Sequence, residues 1–203
     1  VTIEGSPQEA RASRFLVGAF TGTGRPDGWG AKLLGAATEL APPSTEVVEL
    51  PVHLPHYDAG ADSGPVPSEV VDLRSSVAGL DGLLIVSPEF NHSVPGVLKN
   101  ALDWLSRPAY RSPLRDLPVT LVGFSPGPAG GARGLAQLRG VLSGTASAVL
   151  PWPDLAVGGV ASAFAGAELT DDVVKRRLAE QLDAFADWME AVSVYRALRG
   201  AHQ

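Results

Sequence analysis

A chain of 203 residues, 45% of them hydrophobic, is long enough to bury a core of its own, and the lack of cysteine excludes disulfide frameworks, thiol nucleophiles, cysteine-ligated zinc and iron–sulfur clusters. The net charge of -6 comes with no basic run, so a nucleic-acid partner lacks its electrostatic footprint. Any redox chemistry must then come from a bound cofactor.

Residues 1–13 lie in a stretch, VTIEGSPQEARASR, with no apolar centre and read as a flexible N-terminal extension of one domain covering 1–203. The first apolar run, FLVGAF, is too short for a signal peptide or a membrane span, so a soluble, cytoplasmic protein with no membrane partner is expected. Short apolar runs with glycine, proline or polar flanks predict strands at 14–20, 45–50, 82–87, 119–124 and 145–150. Helical spacing predicts helices near 29–40, 68–79, 95–106, 131–143 and 170–192. A parallel neighbour can be reached only by a crossover, so this alternation predicts an α/β fold. The expected architecture is a flavodoxin-like three-layer sandwich: a five-stranded parallel sheet with helices on both faces and a ligand crevice at the carboxyl ends of the strands. The proline- and glycine-rich stretch 50–68 reads as a long surface loop.

The loops after strands 1, 3 and 4 meet at that crevice. The first, TGTGRPDGWGAKLL, offers hydroxyls, small residues, a helix start and the charge of Arg25, which make either an anion cradle or a flexible turn. It is not a nucleotide fingerprint, because Asp27 stands where a third glycine would be needed. The second, SPEFNHS, separates an apolar strand from an amphipathic helix that Pro95 opens, with Ser93 or Val94 as its cap and Val97, Leu98, Ala101, Leu102 and Leu105 facing the sheet. Either Glu89 and Asn91 satisfy neighbouring backbone there, or the loop lies along a flat heteroaromatic ring, with Asn91, His92 and Ser93 free to donate. The third, GFSPGPAGGARGLAQL, matches G-x-S-x-G formally, but the sole histidine after Ser125 is His202, and a serine hydrolase lacks its base. The alternative is a second backbone-lined wall. His53 and His56 in HLPHYD could ligate a metal with Asp58, yet no third strong ligand stands nearby; they read as surface histidines, and no metal is expected. Trp104, Trp152 and Trp188 read as packing residues.

The stretch SPEFNHSVPGVLKNALDWLSR resembles the signature of the NAD(P)H-dependent FMN reductase family, which includes flavodoxin-like quinone, chromate and azo reductases: P-E-Y-N, with Phe90 for tyrosine here, then S-x-P-G-x-L-K-N-A-x-D-W. LPHYD and FSPGPAGGARGLAQLR resemble further family segments. The resemblance implies FMN as cofactor, with its phosphate at Thr21, Thr23, Arg25, Gly28 and Gly30. Glycine at 28 and 30 replaces the usual serine and asparagine donors. The flavin ring would lie against Pro88, Glu89, Phe90, Asn91 and His92 and meet Ser125, Gly127, Gly130 and Gly131 at its polar edge. The implied activity is ping-pong transfer from NADPH or NADH through FMN to a flavin, quinone or similar small acceptor, with no catalytic side chain obligatory. The family also implies a homodimer or homotetramer, for which Trp104, Tyr110 and Trp152 are candidate contacts. Two further readings remain: an FMN-binding electron carrier like flavodoxin, and a relative with weakened or lost flavin binding.

Overall fold

The computed structural model describes residues 15–62 and 64–200, so the expected extension over 1–13 and His202 lie outside the described residues. Parallel strands β1 (Phe15–Thr21), β2 (Thr45–Glu49), β3 (Gly82–Pro88), β4 (Pro118–Phe124) and β5 (Ala148–Val149) form a sheet in the order 2-1-3-4-5. This is the flavodoxin-like order expected from the sequence. The chain reverses its direction of travel across the sheet at β1 and β3, which are paired from Val17 with Gly82 to Thr21 with Val86. That switch point is where the crevice opens.

Alternate residues along the central strands face opposite layers, and both are apolar. Val17, Ala19, Leu84, Val86 and Val122 pack under α1 (Trp29–Leu40) and α6 (Asp172–Gly200). Phe20, Leu83, Ile85, Val119 and Leu121 pack under α3 (Ser68–Ala78), α4 (Gly96–Leu105) and α5 (Ala132–Gly144). A strand buried on both sides reads as an unbroken apolar run, which is why β3 and β4 stand out in the sequence.

Three expectations need correction. The fifth strand is broken: β5 pairs with the start of β4, and a further strand, β6 (Leu155–Val157), pairs with its end. Pro151 and Pro153 interrupt the ladder between them, and Arg139 ties the turn down through Asp154 and the carbonyls of Leu150 and Trp152. On the inner side the buried Gln181 bridges the break, donating to Thr120 Oγ1 and the Leu121 carbonyl and accepting from the Leu155 amide. Second, α4 is capped by Pro95, neither by Ser93 nor by Val94. Third, α6 runs to Gly200, beyond the expected 192, and a hairpin of β7 (Phe164–Ala165) and β8 (Glu168–Leu169) precedes it. The loop after β2 also contains a one-turn helix, α2 (Ala59–Asp62).

Candidate functional site

The β1 loop is tight because it must pass under β3. A Cβ on Gly22 would fall 2.9 Å from Ser87 Oγ and 2.9 Å from Pro88 Cδ, so only glycine lets the two strand ends lie side by side. The Gly22 amide donates to the Val86 carbonyl, and the amides of Gly24 and Gly28 close turns onto Thr21 and Arg25. The loop ends at Gly28, which caps α1 without a side-chain bond and leaves the first-turn amides facing outward. Thr21 is turned away: its hydroxyl donates to Glu49 at 3.0 Å and the residue is buried. Thr23, Arg25, Gly28 and Gly30 line the cavity described below, together with Trp29, which packs on Phe164 at 5.7 Å and under Lys32.

The interruption SPEFNHS is a two-residue hairpin. Phe90 and Ser93 exchange both backbone hydrogen bonds, and Asn91 and His92 between them are left-handed, with φ of 49° and 66°. Positive φ at both central residues is the type I′ arrangement, for which asparagine in first position is well suited. The hairpin is fastened from behind by α5. Glu89 accepts from the Arg133 guanidinium and from the amides of Arg133 and Gly134, so its carboxylate caps α5. The hydrogen bond from Arg133 holds the Glu89 carboxyl below the usual carboxylate range despite its burial. Gln137 receives the Ser93 hydroxyl at 2.6 Å and donates to the His92 carbonyl at 2.8 Å. Ser93 is therefore not free to donate to a ligand. Phe90 stays half exposed at the cavity wall.

The β4 loop forms the facing wall. Ser125 donates its amide to Val157 and its hydroxyl to the Gly127 carbonyl, an acceptor that cannot take the proton as the imidazole beside a nucleophile does. Gly130 and Gly131 serve the fold: a Cβ on Gly130 would sit 2.6 Å from the Ala156 carbonyl carbon, and one on Gly131 would sit 3.1 Å from the Phe124 oxygen. They let α5 start directly against β4 and β6.

Between these loops lies a cavity of about 720 Å³. Thr23, Arg25, Gly28 and Gly30 line one side, Pro88, Glu89 and Phe90 the next, and Phe124, Ser125 and Pro126 a third. A neighbouring cavity of about 530 Å³ takes in Asn91, His92 and Gly127 and shares Glu89 and Ser125. The expected residues thus fall into two adjoining cavities, with Thr21, Gly130 and Gly131 behind them.

The sequence reading missed the fourth side, made of Pro95, Gly96, Val97 and His56. His56 belongs to the loop taken as structural, and α4 holds it there. Asn100 accepts the Tyr57 amide at 2.7 Å and donates to the carbonyls of Leu54 and Pro55. The Trp104 indole also donates to Pro55, at 2.8 Å, and Tyr57 stands edge-on to its ring at 4.9 Å. Trp104 is 1% exposed, so it packs as expected and is not a surface for a partner; Tyr110 and Trp152 remain exposed.

Residues 15–162 match the family described as NADPH-dependent FMN reductase. A quinone reductase of Escherichia coli K12 is 37% identical over 162 residues, 77% of this chain and 85% of that protein. The solved structure of FerB from Paracoccus denitrificans, a flavoenzyme NAD(P)H:(acceptor) oxidoreductase, is 31% identical with a TM-score of 0.80, covering 87% of this chain and 98% of its own. A flavodoxin from Pseudomonas aeruginosa, 17% identical with a TM-score of 0.53 over 84% of this chain and 99% of its own, shares the fold alone.

Proposed function

We propose, because this chain belongs to the NADPH-dependent FMN reductase family and is an NAD(P)H-dependent oxidoreductase of the quinone-reductase type, that it holds FMN in the cavity between the β1, β3 and β4 loops and reduces quinone-like acceptors there. The observation that carries this reading is the pairing of two unlike ends in one cavity. Thr23, Arg25 and the first-turn amides of α1 suit a phosphate, while Pro88, Phe90, Phe124 and Pro126 suit the faces of a flat ring. A Cβ on Gly96 would meet nothing within 4 Å, so the fourth wall is open to a planar group.

When bound, FMN supplies the two-electron chemistry that links NAD(P)H to the acceptor. The residues of this chain bind, orient and exclude water. Arg25 supplies full charge at the phosphate end, and the hairpin at Phe90–Ser93 presents a wall held to α5 by the protein's own hydrogen bonds. No residue is assigned as general acid or base. The reading also takes the chain as one domain, on the support of one parallel sheet covered on both faces, and as a homo-oligomer, on the support of family resemblance alone. A cytoplasmic location accords with the lack of cysteine, and no helix among the described residues is long and apolar enough to cross a membrane.

Titration of apo-protein with FMN, followed by flavin fluorescence, tests the reading. Saturation below about 10 μM, roughly 7 kcal/mol of binding, followed by bleaching with NADPH in the absence of oxygen, is expected. Absence of a saturable change at tens of micromolar would favour a relative that has lost its flavin.

A further inference from the structure

The loop that carries LPHYD brings two histidines to the same side of the site as the β1 loop. His56 lines the cavity together with Thr23, Arg25 and Gly28. His53 lies against the turn itself: a Cβ on Gly24, whose φ is +59°, would fall 2.7 Å from His53 Nε2. Both histidines are exposed, and their segment is pinned to α4 through Asn100 and Trp104, so they are held beside the turn by a fixed scaffold. At the same time α1 opens with glycine at 28 and 30, and neither position has a side chain to donate.

We propose that His53 and His56 are anion-binding residues of the phosphate end, supplying to the FMN 5′-phosphate the side-chain donors that Gly28 and Gly30 lack. The inference rests on the reading of the β1 loop as the phosphate end. Its chemistry is a phosphate monoester facing Arg25 and two imidazole N–H donors, each hydrogen bond assisted by the charge of the phosphate.

The surrounding charges leave that role open to the histidines. On the β1 loop, Arg25 shares the cavity and Asp27 lies beyond it. Across the cavity Glu89 is committed to Arg133. On β2 Glu49 accepts from Thr21, and on α4 Lys99 pairs with Asp103. On their own segment Tyr57 packs on Trp104, and Asp58 accepts from the Gly60 amide.

The test compares FMN with riboflavin, which has the ring and no phosphate, on the full chain. Parent, His53→Ala/His56→Ala and His56→Lys are titrated by flavin fluorescence, with urea unfolding of each as a check on the fold. The double variant should bind FMN about tenfold more weakly, with riboflavin unchanged. His56→Lys, which places a cationic donor at the cavity, should keep FMN affinity. If the parent prefers FMN over riboflavin and the double variant keeps that preference, the histidines are not phosphate ligands and the placement of the phosphate stands. If the double variant weakens riboflavin as much as FMN, the histidines act on the ring or the fold, and the inference fails. If the parent binds the two flavins equally, the phosphate end itself is misplaced.

Discussion

The fourth wall of the cavity depends on Asn100, and Asn100→Ala tests that dependence. Its side chain makes three hydrogen bonds to the loop after β2, at 2.7, 3.3 and 3.0 Å. A neutral hydrogen bond is worth about 1 kcal/mol net, and the longest of the three counts for less. Removing them should therefore cost about 2 kcal/mol in urea unfolding if the loop stays in place. That is a shift in Tm of about 4–8 °C for a chain of this size. If the loop instead swings out, its amides regain water, the global loss shrinks, and the change appears as local opening. Hydrogen exchange at the Tyr57 amide distinguishes the two, because protection there depends on the Asn100 carbonyl. Asn100→Asp keeps an acceptor for Tyr57 but turns a carboxylate oxygen toward the carbonyls of Leu54 and Pro55, so it should retain that protection while losing at least as much stability as the alanine variant. An Asn100→Ala protein within about 0.5 kcal/mol of the parent, with Tyr57 protection unchanged, would refute the idea that α4 holds this wall.

Three other substitutions probe separate parts of the fold and site. Gln181→Leu leaves Thr120, the Leu121 carbonyl and the Leu155 amide without their partner under the broken strand, and should cost about 2–4 kcal/mol in urea unfolding. Glu89→Gln removes the carboxylate that caps α5. Its folded pKa is depressed, so its stabilisation is full above the ordinary carboxylate range and is lost as pH falls through the lowered folded value; the variant should be less stable at pH 7 and its stability should fall less steeply below pH 5, as read from Tm against pH. Gly96→Leu puts a side chain into open space in the cavity, so unfolding should be unchanged or slightly improved while FMN binding weakens at least about tenfold; unchanged FMN affinity would remove the ligand from this cavity.

The elements that were legible in the sequence are those whose environment is uniform along their length. β3 and β4 are buried at every position, and α4 places Leu98, Ala101, Leu102 and Leu105 on one face. The broken fifth strand was hidden because LAV is too short a run to register, although the two prolines before it carried the signal of a break. The last turns of α6 carry Val194, Tyr195 and Leu198 at helical spacing but on an exposed surface, so the element continues past the residues that pack on the sheet.

At the site, the residue types were readable and their partners were not. Glu89 and Asn91 were visible as polar residues in a loop, but whether Glu89 faces a ligand or caps a helix depends on Arg133, 44 residues on. His56 reads as a surface histidine because no third metal ligand stands nearby; what brings it to the cavity is Asn100, whose bonds span 43 to 46 residues. The same fact explains the composition of the signature segment. Four of its members, Glu89, Ser93, Asn100 and Trp104, spend their polar atoms on α5 and the loop after β2, and they set the positions of two of the cavity's walls. Orientation of a planar ligand then falls to rigid backbone, while the side chains that reach the cavity, Arg25, Trp29, His56 and Phe90, carry no hydrogen bond that holds the fold. Trp29 packs on Phe164 and the core beneath α1, so substitutions that separate ligand binding from folding belong at Arg25, His56 and Phe90.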